Sequence, residues 1–117
     1  MGTTIDPVDF YKCLADDTRL RCLLLIAHEQ ELCVCELTEG LQDIQPKVSR
    51  HLAQLRKASI LLDRRQGQWV FYRVNPALPE WALAVIEQTT KANRRFLAAN
   101  LKNLQRMKGR PDRACCA

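Results

Sequence analysis

The sequence has few glycines and no long apolar run. Only 4 of its 117 residues are glycine, too few to favour the anion-cradling loop that a reductase needs. No apolar stretch approaches the ~20 residues that cross a bilayer, and the first residues lack the basic and apolar segments of a secretory signal. These absences predict a cytoplasmic protein that is not an enzyme and has no membrane partner.

Acidic and basic residues are distributed unevenly along the chain. Residues 1–44 contain three basic and nine acidic residues, whereas residues 45–75 contain seven basic residues and one acidic residue. A local basic block beside an acidic one favours a nucleic-acid-binding surface. The same composition also fits an ordinary solvated surface, so charge alone leaves both interpretations open.

Local sequence patterns predict one mainly helical domain, residues 1–111, followed by a flexible cysteine-containing tail, residues 112–117. Aspartates and prolines at suitable positions mark helix starts, and apolar residues at helical spacing mark the buried sides. Two runs of strand-forming residues flank Gly67 and predict a hairpin over residues 61–66 and 69–74. The predicted helices cover residues 7–14, about 17–27, 32–41, about 46–58 and 79–108.

The third and fourth predicted helices, joined by a short turn, form a candidate helix-turn-helix unit. The fourth helix is basic on the side opposite Val48, Leu52 and Leu55, and a hairpin with a basic tip follows it. This combination predicts a winged helix-turn-helix, a mainly α fold with a β-hairpin wing (α+β), that binds double-stranded operator DNA. The candidate DNA-binding residues are Gln45, Lys47, Ser49, Arg50, His51, Gln54, Lys57, Arg64, Arg65 and Gln68.

Three segments resemble the ArsR/SmtB family of metalloregulatory repressors. Residues 45–58 resemble its recognition helix, residues 61–74 its wing, and residues 15–21 the start of its second helix. The resemblance implies a homodimer built on the first and last helices that represses a metal-resistance operon until metal binds. An apolar stripe on the predicted last helix is expected to lie in that dimer interface: Phe96, Leu97, Leu101 and Leu104.

Cys33 and Cys35 form a Cys-x-Cys pair at the start of the third predicted helix. A helix N-terminus stabilises thiolates, and thiolates bind soft ions, although two nearby cysteines are often inert. The segment 31–37 resembles the arsenite-binding motif of arsenical-resistance repressors. The resemblance implies As(III) or Sb(III) as inducer, with no organic cofactor.

The metal site implied by the resemblance lacks one of its usual cysteines. The position three residues after Cys35 is Thr38. A third sulfur then comes from Cys115, Cys116, Cys13 or a small exogenous thiol. Cys13 and Cys22 lie at helical spacing among apolar residues, so a packing role is expected for both.

Two other inducing signals are alternatives for a repressor of this fold: binding of cadmium or lead, and oxidation of the thiols. Zinc is disfavoured because residues 80–108 contain no histidine, whereas the family's zinc sensors take histidine ligands from the last helix. Residues two positions apart on a helix point about 200° apart. We therefore expect ion binding to distort the helical turn that contains Cys33 and Cys35.

Overall fold

A computed structural model describes residues 4–111. This part of the chain contains six helices and three strands. They are α1 Pro7–Leu14, α2 Asp17–Glu29, β1 Leu32–Cys33, α3 Val34–Leu41, α4 Gln45–Lys57, β2 Leu61–Gln66, β3 Trp69–Val74, α5 Glu80–Ala92 and α6 Arg94–Arg106. The predicted tail, with Cys115 and Cys116, lies outside the described residues, and the domain boundary at 111 stays a prediction.

Aspartate caps begin the first two helices, as the sequence predicts. Asp6 accepts hydrogen bonds from the backbone N–H groups of Val8 and Asp9 at 2.8 and 3.1 Å. Asp16 accepts from the N–H of Arg19 at 2.9 Å. Each carboxylate satisfies N–H groups that have no partner inside the helix.

The hairpin forms with the predicted bounds and gains a third strand. The sheet is antiparallel with order β1-β3-β2, and Gly67 turns the hairpin with a φ of +62°. Leu32 pairs with Tyr72 and Cys33 with Phe71. The prediction that residues 32 and 33 begin a helix is therefore wrong, because they pair with β3 before α3 starts.

The core lies where α2 crosses the helix-turn-helix unit and the sheet. Residues 22–26 of α2 are fully buried, and Leu37, Leu52 and Leu61 contribute from α3, α4 and β2. The apolar side of α4 thus packs inward and leaves its basic side outside. Among residues 4–111, no helix is long and apolar enough to span a membrane.

The single long helix predicted over residues 79–108 is two helices. The backbone breaks at Asn93, and α6 packs back on α3 of the same chain. Leu97 and Leu104 are buried there, and Arg21 lies 3.8 Å from the ring centre of Phe96. Two of the four residues of the predicted dimer stripe are thus buried within one chain, whereas Phe96 and Leu101 are half-buried. The role of this stripe in a dimer stays a prediction.

Candidate nucleic-acid interface and cysteine site

The exposed side of α4 presents most of the predicted DNA-binding residues. Val48, Leu52 and Leu55 are buried, which turns the opposite side outward. Ser49 is half-buried, and Lys47 is half-buried in an ion pair with Asp43 at 2.9 Å. The predicted DNA-binding residues that are exposed on this helix are Gln45, Arg50, Gln54 and Lys57.

His51 differs from the other candidates on α4 because its side chain points inward. It is 8% exposed, with Nε2 3.7 Å from Asp16 Oδ2 and Nδ1 3.4 Å from Nη1 of Arg19. Nη1 of Arg19 also donates to Gln54 Oε1 at 2.8 Å. His51 therefore lies in a network that joins α2 to α4, and it is not on the exposed basic side. Arg19 orients Gln54, and no local pattern in the sequence indicates that role.

The hairpin separates its basic residues into two environments. Arg65 and Gln68 are exposed near the Gly67 turn. Arg64 donates twice to Glu31, at 2.7 Å to each carboxylate oxygen, and its guanidinium lies 4.7 Å from the ring centre of Phe71. Arg64 thus joins the body of the wing to the segment just before Cys33, away from the tip where the sequence analysis placed it.

The two cysteines of the Cys-x-Cys pair lie side by side. Cys33 is the N-cap of α3 with extended backbone angles, φ −91° and ψ 167°, and Cys35 lies in the first helical turn. Their sulfur atoms are 2.8 Å apart. The expected 200° separation is wrong because Cys33 is not helical, so no distortion of a turn is needed to bring the thiols together.

Glu36 closes a capping box around Cys33. Its backbone N–H donates to Cys33 Sγ, and its Oε1 accepts the Cys33 N–H at 2.9 Å. This is the reciprocal arrangement of a capping box, with cysteine in the usual Ser or Thr position. Burial raises the pKa of the Cys33 thiol to about 12, and the hydrogen bond to Cys35 adds to the rise. The i to i+3 spacing of Cys33 and Glu36 is the signal that could have revealed this box.

A cavity of about 380 Å³ opens beside the thiols, between α3, the hairpin and the residue that follows α6. Its wall includes Cys33, Cys35, Trp69 and Met107. Thr38 also faces it, but the Thr38 hydroxyl donates to the Val34 carbonyl at 2.8 Å. Within residues 4–111, no group of three His, Cys, Asp or Glu side chains is arranged to hold a metal ion. The described residues therefore offer a two-sulfur site beside open space.

The other two described cysteines lie elsewhere. Cys22 is fully buried in the core, as expected, and burial raises its pKa to about 12. Cys13 is half-buried on α1, near Arg19, and burial raises its pKa. Neither borders the cavity beside Cys33 and Cys35.

A helix-turn-helix with an attached hairpin defines a winged-helix DNA-binding protein. The family model "Bacterial regulatory protein, arsR family" matches residues 16–61. The chain is similar to the arsenic resistance transcriptional regulator ArsR2 of Pseudomonas putida, at 56% identity over 114 residues that cover 96% of this chain and 99% of the relative. It belongs to the ArsR family and is a transcription regulator, not an enzyme.

Further comparisons agree with this assignment. The arsenical resistance operon repressor of Escherichia coli is 46% identical over 100 residues, 86% of each chain. HlyU from Vibrio cholerae superposes with a TM-score of 0.65 at 31% identity, covering 74% of this chain and 89% of HlyU. The AntR antimony-specific transcriptional repressor superposes with a TM-score of 0.62 at 31% identity, covering 75% of this chain and 77% of AntR.

Proposed function

We propose that the protein is an arsenite- or antimonite-responsive repressor that binds operator DNA as a homodimer. Trivalent arsenic or antimony binds Cys33 and Cys35, and the protein then leaves the DNA. The observation that carries this proposal is the pair of sulfur atoms 2.8 Å apart beside a cavity. The names of the Pseudomonas, Escherichia and AntR proteins support the choice of ion.

DNA binding is assigned to the exposed side of α4 and the wing tip. Arginine pairs well with guanine and glutamine with adenine in the major groove, while basic residues on a wing contact phosphates. Arg50, Gln54 and Arg65 are exposed and suit these roles. Lys47, Ser49, His51 and Arg64 are partly or largely buried, so we assign them to positioning this surface in the free protein.

Homodimer formation is assigned to α1 and α5. Val8, Tyr11 and Trp81 are 59%, 51% and 38% exposed, which is unusual for large apolar side chains that lie together. Phe10 packs edge to face against Trp81 with ring centres 5.1 Å apart, and Tyr11 lies 6.3 Å from Trp81. A second copy that covers this patch would form a dimer with two recognition helices, one for each half-site of an operator.

We assign the coupling between ion binding and DNA binding to Cys33, because this residue lies between the wing and α3. Cys33 pairs with Phe71 of the wing and is also the N-cap of α3. An ion bound by both sulfurs has to replace their direct contact, which moves Cys33 relative to Cys35. That movement reaches the wing through β1 and reaches α4 through α3. Thermodynamic linkage then requires DNA to weaken ion binding by the same factor.

The third ligand of the ion is a sulfur atom that neither Cys33 nor Cys35 supplies. Thr38 is an unsuitable donor because its hydroxyl is committed to the Val34 carbonyl. Cys115, Cys116 and a small exogenous thiol are the candidates, and the open cavity leaves room for either source. Cys13 is disfavoured because it lies away from this cavity.

A fluorescence-anisotropy titration of arsenite into the protein–operator complex, with excess reductant, tests the proposal. Cys33→Ser and Cys35→Ser should bind the operator like the wild type and fail to release it. Cys13→Ser is the matched control and should respond normally. Normal release by Cys35→Ser would contradict the assigned site.

The short distance between the two sulfurs also favours a second candidate signal, thiol oxidation. Excess reductant removes that signal and leaves arsenite binding intact, so release under reductant separates the two. Running the same titration with antimonite, cadmium and lead ranks the ions.

A further inference from the structure

A charged contact joins the chain after α6 to the first turn of α3. Arg110 Nε lies 2.6 Å from Glu36 Oε2, and Arg110 Nη2 lies 3.2 Å from Glu29 Oε1 at the end of α2. Glu36 is 0% exposed, and its other oxygen accepts the Cys33 N–H. Resting on the function proposed above, we propose that Arg110 is a positioning residue of the inducer site that acts through Glu36 on Cys33.

The buried carboxylate of Glu36 depends on a cationic partner. An isolated buried charge is costly, and removal of one partner of a buried pair leaves the other uncompensated. The planar guanidinium of arginine provides directed donors that a carboxylate accepts at short distance. Arg110 therefore keeps Glu36 in the orientation that closes the capping box.

The capping box in turn sets the place of the Cys33 sulfur. The Glu36 N–H donates to Cys33 Sγ while the Glu36 side chain holds the Cys33 N–H. Loss of the second contact frees the N-cap residue to rotate away from Cys35. Groups that orient a metal ligand in this manner contribute about 10- to 100-fold to metal affinity.

The far end of α3 is also held by the C-terminal part of the chain. The side-chain amides of Asn100 and Asn103 each donate to the Gly40 carbonyl at 3.0 Å. The sensor helix is thus held at its start by Arg110 and at its end by α6. Residues 94–110 therefore hold both ends of α3, whichever sulfur completes the ion site.

The test compares Arg110→Gln, Arg110→Lys and the matched control Arg106→Gln, an exposed residue in the last turn of α6. The arsenite concentration for half-release of operator DNA should rise about 10- to 100-fold in Arg110→Gln. Arg110→Lys should restore much of the response, since an ammonium group can pair with Glu36. Operator affinity without arsenite should stay within about twofold of the wild type in the control Arg106→Gln.

A second measurement tests the contact independently of arsenite. Hydrogen exchange of the Cys33 amide should be faster in Arg110→Gln and unchanged in Glu29→Gln, because only the first variant removes the Arg110–Glu36 contact. A wild-type arsenite response in Arg110→Gln, with unchanged Cys33 exchange, would overturn the inference. If the wild type itself ignores arsenite, the proposed function fails, and the exchange experiment still decides whether Arg110 positions Cys33.

Discussion

Cysteines 13, 22, 33 and 35 carry the same thiol group, but these thiols differ in how deeply they are buried. Cys22 is fully buried in the apolar core, whereas Cys35 is half-buried beside a cavity. A buried thiol resists ionisation because the thiolate loses its hydration. The raised pKa of Cys22, about 12 in the folded protein against an ordinary value of 9.0, makes stability depend on pH.

Replacement of Cys22 by alanine should make the free energy of unfolding decrease less steeply as the pH rises above 9. Above pH 9 the unfolded chain ionises this thiol while the folded protein keeps it protonated, so the free energy of unfolding falls as pH rises towards 12. One such thiol contributes a slope of up to ~1.4 kcal/mol per pH unit. Urea unfolding of the wild type and Cys22→Ala at pH 8.0 and 10.5 measures the difference. An equal loss in both proteins contradicts the assigned burial of the thiol.

The recognition helix is an element whose two sides have separate roles. Leu52 and Leu55 hold it in the core, and Arg50 extends from the opposite side. Arg50→Ala should weaken operator binding by about 1–3 kcal/mol and relax the preference at one base position. Competition anisotropy against single-base operator variants measures both effects. Arg106→Ala, outside this surface, should change neither.

The wing tip should contribute to DNA affinity through its charge alone. Arg65 is exposed near the turn, and a phosphate contact there carries no sequence information. Arg65→Ala should weaken binding to operator and unrelated DNA alike, and it should reduce the slope of log affinity against log salt by about 0.9 for each wing, or about 1.8 for the dimer. Titrations at several salt concentrations give that slope. A loss confined to the operator contradicts a phosphate role.

The molecule presents two candidate dimer surfaces, one on α6 and one on α1 with α5, and they differ in what covers them. Residues of α6 pack on α3, whereas Tyr11 and Trp81 on α1 and α5 remain exposed. Tyr11→Glu should therefore shift the protein to monomer at micromolar concentration and weaken operator binding. Ala98→Glu, on the exposed side of α6, is the matched control and should stay dimeric. Sedimentation velocity measures both, and the reverse result places the interface on α6.

Local patterns in the sequence determined most of the elements of this protein. The capping aspartates at 6 and 16 marked two helix starts, and alternation around Gly67 predicted both hairpin strands. The apolar stripe of α4 similarly predicted which side of the recognition helix lies inside. These features were readable because caps, turns and periodicity act over only a few residues. The prediction that Cys33 and Cys35 form a site came from a motif of three residues, Cys-x-Cys.

Tertiary structure alone decided the features that join distant parts of the chain. Strand β1 exists because β3 pairs with it, and the break at Asn93 lets α6 reach α3. His51 turns inward because α2 supplies its partners, and Arg110 reaches Glu36 across 74 positions of sequence. Such contacts have no local signature, because the free energy of burying a charge or pairing a strand depends on what folding brings alongside it. For this reason the sequence predicted Cys33 and Cys35 as the candidate site, whereas only the fold showed that their sulfur atoms are in contact.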